Sequence, residues 1–323
     1  MKRKLLSLIV ASLLVVGCLV GCVKTDDQKT DATKAAGTGT QASVGAKTEG
    51  ATGAIGFSIS TLNNPFFVSM ADSAKATAKE MGLDLTVVSA DNDSAKQTSD
   101  VEDLISKGIK VLIINPEDSA AIAPAVKDAQ AKGIKVIAVD RYVEDVTVDT
   151  YIGTDNVKAG EAAAKEFLAK VGEGADIAVL QGILGASSAI DRYQGFMNVL
   201  KDKVSVVADQ TANYDRTEGL TVTEDILQAH PGIKGIIAAN DEMALGAIQA
   251  ISGAGKKPGQ DIVVGGFDAT DDAKEAVDKG EMLYTVEQQT VEMGKQAVVC
   301  ADKFMKGETV EDKVPIDIVM IKK

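Results

Sequence analysis

The chain has 323 residues, 45% of them apolar and 25% charged, with a formal net charge of -13 and a pI near 4.7. These proportions belong to a globular protein long enough for one large domain or two of ordinary size. The acidity argues against nucleic acid and against electrostatic docking on anionic membranes, because both require clustered Lys and Arg.

At the start, Lys2, Arg3 and Lys4 precede an uncharged apolar run over residues 5–21. A basic stretch followed by an apolar core is the pattern of an export signal. The run closes on Leu19-Val20-Gly21-Cys22, which resembles the lipobox of bacterial lipoproteins; Val15-Val16-Gly17-Cys18 is a weaker copy, with Val at the first place. The expectation is a signal peptide over 1–21, lipidation of Cys22 and an extracytoplasmic protein anchored to the cell membrane, an arrangement suited to a Gram-positive cell. An ordinary secretory signal or a single anchor helix is the alternative. Loss of the three leading cations takes the mature charge from -13 to about -16. With Cys18 removed and Cys22 lipidated, Cys300 is left alone, so no disulfide forms within one chain and Cys300 reads as a small buried hydrophobe.

Residues 22–52 are dominated by Thr, Ala, Gly, Lys and Asp. Such a segment cannot bury enough apolar surface to offset its ordering entropy. It reads as a tether whose coil would span roughly 30 Å.

From there the chain alternates short β-branched runs with segments of helical period. Strands are predicted at residues 54–60, 83–89, 111–115, 136–140, 177–181, 204–208, 235–239, 262–267 and 282–286, with helices between most of them, as at 66–81, 156–171 and 242–251. Repeated strand, helix, strand implies parallel sheets with right-handed crossovers. The number of strands exceeds what one small sheet needs, and the sequence breaks near residues 152–156. The predicted fold class is therefore α/β, with two Rossmann-like lobes.

In open parallel sheets the ligand crevice lies beyond the carboxyl ends of the strands. That rule selects Asn63, Asn64, Phe66 and Phe67 after the first strand, Asp140 and Arg141 after the fourth, Asn240 and Asp241, then Phe267 and Asp268, then Gln288. Arg192 and Tyr214, placed at or just before helix starts, join the same edge. Carboxylates, amides and guanidinium groups suit vicinal hydroxyls, Arg presenting a fork of donors. Aromatic rings supply flat faces for the C–H side of a sugar. The set describes a carbohydrate pocket; the plainer alternatives are that the two Phe residues are core at a helix start and that Asp140-Arg141 is a surface ion pair of little worth.

The stretches STLNNPFFVSM, VLIINPEDS, VIAVDR, LQGILGASSAIDRYQGF, ANDEMALGAIQA and VVGGFDAT resemble, in this order, the ribose-binding proteins of bacterial ABC importers. The likeness extends from about Gly53 to the C-terminus. It implies a type I periplasmic binding protein fold whose lobes are joined by three crossing segments near residues 154–156, 287–289 and 315–317. The lobes are then 53–154 plus 288–315 and 155–287 plus 316–323. It also implies sugar contacts at Asn64, Phe66, Phe67, Asp140, Arg141, Arg192, Asn240, Phe267, Asp268 and Gln288, with Tyr214 beside them. Phe66 and Phe67 would form one wall against the ring and Phe267 the opposing face, clamped when the hinge closes. The implied partners are a monosaccharide, most simply D-ribose, and the permease of an ABC importer; the protein is expected to be a monomer without cofactor, metal site or catalytic residues. Tyr214 stands where these proteins usually carry Phe, Ile190 replaces a common Arg, and the YIGTDN segment and Glu287 depart from the usual hinge. Another pentose or a hexose therefore stays open as the ligand.

Three other function classes compete. An enzyme lacks support: Gly253-Ala254-Gly255-Lys256-Lys257-Pro258-Gly259 is one residue too long for a dinucleotide loop and lies between a helix and a strand, the reverse of that motif's order. The single histidine, His230, sits at a helix end before Pro231, where it complements the terminus. A zinc site would have to be built from carboxylates, which zinc rarely accepts alone. A sugar-responsive repressor needs a DNA-binding helix-turn-helix and a basic face, whereas this chain begins with an export signal. A sensory protein that shows its sugar to a membrane receptor would use the same lobes and is not separable by sequence.

Overall fold

The computed structural model describes residues 54–323. The export signal, Cys22 and the whole of the tether lie outside the described residues.

The first lobe begins with β1 (Ile55–Ile59), α1 (Pro65–Met81), β2 (Leu85–Ser89), α2 (Ser94–Ser106), β3 (Val111–Ile114), α3 (Ala123–Ala131), β4 (Lys135–Val139) and β5 (Thr150–Gly153). The second comprises α4 (Asn156–Val171), β6 (Asp176–Gln181), α5 (Ser187–Leu200), β7 (Ser205–Thr211), α6 (Arg216–Ala229), β8 (Gly235–Ala238), α7 (Asp241–Gly253), β9 (Val263–Gly265), α8 (Asp271–Lys279) and β10 (Tyr284–Glu287). The chain ends with α9 (Thr290–Met305), β11 (Lys313–Pro315) and β12 (Val319–Lys322). The sheets run β11-β5-β4-β3-β1-β2 and β12-β10-β9-β8-β6-β7. Every pairing is parallel except β10 with β12. The chain therefore crosses between the sheets three times: after β5, after β10, and between β11 and β12.

The predicted strands all form, with ends shifted by a few residues. The sequence reading misses β5, β11 and β12. All three are only three or four residues long; β11 and β12 are edge strands with no fully buried residue, and β5, between β4 and β11, has only Ile152 as a buried large apolar side chain, so none carries the long apolar run of a strand buried on both faces.

β3 shows why the inner strands are legible. Val111 and Ile113 pack in a core with Phe57, Met70 and Val298, while Leu112 and Ile114 pack on the other face with Leu104 and Val126. Helices cover both faces of the sheet, so the strand reads as an unbroken apolar run. α1 is equally explicit: Asn64 caps it by accepting from Phe66 N, Pro65 occupies its first turn, and Gly82 ends it at φ 68. His230 is the C-cap of α6, and Cys300 is free and buried.

Helix pairs within each lobe approach closely through glycine. A Cβ on Gly160 would lie 2.6 Å from Arg192 O, and one on Gly195 would collide with Val157 O. That contact brings α4 against α5 and sets the height of Arg192 over the second sheet.

Candidate functional site

Each sheet has the order 2-1-3-4-5 among its first five strands, so its crevice opens at the carboxyl ends next to β1 and β3, and β6 and β8. The two crevices face one another.

In the first lobe one buried amide ties three strand ends together. Ser60 N and Oγ donate to Asn115 Oδ1 at 3.2 and 2.7 Å, and Asn115 Nδ2 donates to Val139 O and Asp140 Oδ2, both at 3.1 Å. Gln97 holds the next turn, its Nε2 donating to Asn115 O and its Oε1 accepting from Glu117 N. This frame turns the backbone at Asp140 into the left-handed region, φ 63, which few non-glycine residues adopt but Asp tolerates. Arg141 Nη1 donates to Pro116 O at 2.8 Å and Glu117 O at 3.3 Å, and its Nε lies 3.7 Å from Asp140 Oδ2. The pair is fully buried, not the exposed ion pair of the plainer reading. Phe66 and Phe67 meet edge to face, centroids 5.1 Å apart. Both belong to the lobe core and both line the crevice, so the two readings of these rings are compatible.

In the second lobe Arg192 lies in the second turn of α5, further into the helix than the sequence suggests. Its Nε donates to Asn156 Oδ1 at 2.9 Å and its Nη1 to Ala239 O at 2.8 Å; Nη1 stands 3.8 Å from Asp268 Oδ1. The guanidinium rests 3.9 Å over the ring of Phe267. Asn240 caps α7 by accepting from Met243 N, and its amide nitrogen reaches Tyr214 O at 3.4 Å. Asp268, at φ 120, accepts from Gln288 Nε2 at 3.0 Å. Its turn is pinned by Asp241, which accepts from Thr270 N and from the Thr270 and Thr285 hydroxyls.

The lobes meet around a space of about 210 Å³ lined by Asn64, Phe66, Phe67, Asp140, Arg141, Ser188, Arg192, Tyr214, Asn240 and Asp268. Nine of the eleven residues expected to contact the sugar are among these ten, and Asn63 and Asp241, which the strand-end rule also selects, are not. Gln288 stands behind Asp268, and Phe267 beneath Arg192, which covers a face of the ring expected to oppose Phe66 and Phe67. Arg141 bridges the lobes, 5.2 Å from the Phe67 centroid and 5.6 Å from that of Tyr214. Ile190 is 43% exposed and does not line the space. Sequence reasoning missed Ser188, which lines it, and the buried amides Asn115 and Asn156, which orient its charges. Asn115, a polar residue ending an apolar strand before Pro116, was the available signal; Ser188 had none.

Three buried polar atoms here have no hydrogen-bond partner: Asp140 Oδ1, Arg141 Nε and Gln288 Oε1. Buried polar groups are rarely left so. Burial pushes the Asp140 carboxyl up, against the opposing pull of Arg141 and Arg192. Burial holds Asp268 well above the usual carboxylate range, with Arg192 opposing and Asp241 and Asp140 adding to the rise. Hydroxyl donors placed between the lobes would offset both penalties. Among the described residues no group of three or more His, Cys, Asp or Glu side chains is placed to hold a metal ion.

Residues 55–309 match the model of the periplasmic binding protein domain. The ribose import binding protein RbsB of Bacillus subtilis is 47% identical over 260 residues, covering 80% of this chain and 84% of that protein; its Salmonella typhimurium counterpart is 42% identical over 264 residues, covering 81% and 88%. The structure of a Caulobacter myo-inositol binding protein with myo-inositol bound superposes with a TM-score of 0.79 at 34% identity, covering 83% of this chain and 93% of that one. The paired parallel sheets, the triple crossing and these likenesses agree, and the chain belongs to the periplasmic binding protein family, among the sugar-binding proteins of ABC importers.

Proposed function

We propose that this protein captures a monosaccharide, D-ribose first among the candidates, by closing its two lobes around it, and delivers it to an ABC importer without performing any chemistry on it. The observation that carries this reading is the convergence on one space of carboxylate, guanidinium and amide groups from both lobes, two of whose buried polar atoms, Asp140 Oδ1 and Arg141 Nε, have no hydrogen-bond partner in the protein. Asp140 and Asp268 accept from sugar hydroxyls, Arg141 and Arg192 donate, and Asn64 donates through the amide nitrogen left over from capping α1. Phe66 and Phe67 press on the ring. Because contacts come from both lobes, the sugar stabilises the closed form by the difference in its affinity for the two states.

Ribose is favoured by the two ribose import binding proteins, 47% and 42% identical to this chain over the aligned 260 and 264 residues. The myo-inositol neighbour supports the second reading, a different polyhydroxylated ring in the same frame. We take the lobes as 53–154 plus 288–315 and 155–287 plus 316–323, the protein as a monomer, and Cys22 as the lipidated residue that holds it outside the cytoplasm. Titration calorimetry of protein freed from endogenous sugar by unfolding and refolding tests the reading, against ribose, xylose, arabinose, allose, galactose, glucose, fructose and myo-inositol. Tight ribose binding is expected. Preference for another member would transfer the mechanism to that ligand, and binding of none would refute the sugar-capture reading.

A further inference from the structure

Tyr214 is held in place by features with no other evident purpose. It follows Asn213, and both residues lie in the left-handed region, at φ 50 and 59, a conformation that costs a residue with a bulky side chain and persists only when its surroundings enforce it. They do so here. Thr211 Oγ1 donates to Gly182 O at 2.7 Å, and Asn213 N donates back to Thr211 Oγ1. The Tyr214 ring then lies in a notch over Gly182, where any Cβ would collide with the ring. One side of the residue borders the inner space, and the other borders an outer space of about 450 Å³ that also touches Asn64, Phe67 and Arg141. Its hydroxyl is bonded inward, 3.3 Å from Ser188 Oγ, rather than to solvent.

Two hydroxyls bonded to each other use one of their two protons. The pair therefore keeps one O–H donor and several lone pairs, and Ser188 and Tyr214 both line the inner space. The charged groups of that space, Asp140, Arg141, Arg192 and Asp268, make no hydrogen bond to either hydroxyl, although Arg141 lies 5.6 Å from the centroid of the Tyr214 ring. The geometry points to Tyr214 and Ser188 as a paired hydroxyl reader that addresses one specific hydroxyl of the bound monosaccharide and sets selectivity at that carbon, with Gly182 as the positioning residue that locks the phenol in register. This inference rests on the sugar-capture reading and deepens it. Rigid polar groups discriminate strongly, because a ligand lacking the matching hydroxyl leaves them unpaired in a buried site.

The test is calorimetric titration of the wild type, Tyr214→Phe, Ser188→Ala, the double variant and Gly182→Ala with D-ribose and its 2-, 3- and 5-deoxy forms. Tyr214→Phe and Ser188→Ala should each weaken ribose binding by about 5- to 100-fold while leaving the affinity for one deoxy form nearly unchanged. The double variant should lose little more than either single one, since the pair acts as a unit. Gly182→Ala, which touches no ligand, should reproduce the change in selectivity by displacing the ring. Equal losses for all four sugars, or no loss, would overturn the inference while leaving sugar capture intact. Failure of the wild type to bind any of the four would overturn the ribose reading and this inference together.

Discussion

The closed form carries a latch that bypasses the sugar. Ser119 N donates to Gly185 O at 2.9 Å, Ser187 N donates to Ser119 Oγ at 3.1 Å, and Tyr142 N donates to Ser187 Oγ at 3.0 Å. Ser119 and Tyr142 follow strands of the first sheet, whereas Gly185 and Ser187 belong to the second lobe. Neither serine lines the ligand space. Replacing Ser187 by Ala removes the acceptor for Tyr142 N in the closed form only, because in the open form that amide is free to meet water. A neutral hydrogen bond contributes about 0.5–1.5 kcal/mol net, so the closing equilibrium should fall about 2- to 12-fold. If the sugar-free protein is mainly open, apparent affinity falls by the same factor. The loss must be equal for every sugar the protein binds, since the latch does not touch them. Calorimetry with the two best ligands, alongside small-angle scattering of the sugar-free protein, measures both the affinity and the closed population. An unchanged affinity, or a loss that depends on the sugar, would refute the reasoning.

Other consequences follow from the site and its supports. Arg141→Ala strands the buried Asp140 carboxylate and removes the cation shared by Phe67 and Tyr214; breaking a buried pair in this way costs about 3–5 kcal/mol of folding stability, read as a lower urea midpoint, and loss of a charged donor to the sugar, about 1.5–3 kcal/mol, should weaken binding by at least about 10-fold in calorimetry. Gly195→Ala forces α5 away from α4 at the Val157 carbonyl and should lower stability by about 1–3 kcal/mol, read as a lower urea midpoint. The pH dependence has a definite sign. Asp140 and Asp268 are raised in the folded protein, so the stabilisation linked to their protonation is complete below the ordinary carboxylate range and is lost as pH rises through their raised values. Sugar hydroxyls donating to both carboxylates relieve that loss. The increase in melting temperature produced by saturating sugar should thus grow as pH rises above the ordinary carboxylate range, and binding should release protons in buffers of differing ionisation enthalpy. A sugar-induced shift that is flat across this range would remove the two carboxylates from the ligand contacts.

The sequence by itself determined the architecture wherever burial leaves a continuous apolar run, as in Val111–Ile114, and the place of the site wherever a polar residue interrupts such a run at the carboxyl end of a strand. Asn64, Asp140, Asn240 and Asp268 were legible for that reason. The Asn64-Pro65 start of α1 was legible because capping chemistry is local. The edge strands β11 and β12 were not, since an edge strand needs only a partner's backbone and imposes few demands on its own side chains. Tertiary structure alone decided which charged groups are held by the protein and which are left for a ligand. Arg192 donates to Asn156 and Ala239, residues 36 and 47 positions away, and it covers a face of Phe267; no local pattern encodes such distances. Tertiary structure also decided the surroundings of Tyr214: its ring over Gly182, its hydroxyl on Ser188, and the shared contact of Arg141 with a ring from each lobe. The first two form within one lobe from residues distant in sequence; the last arises only when two separately folded sheets meet, and the balance of hydrogen bonds across that seam is a property of the assembled surfaces rather than of any one segment.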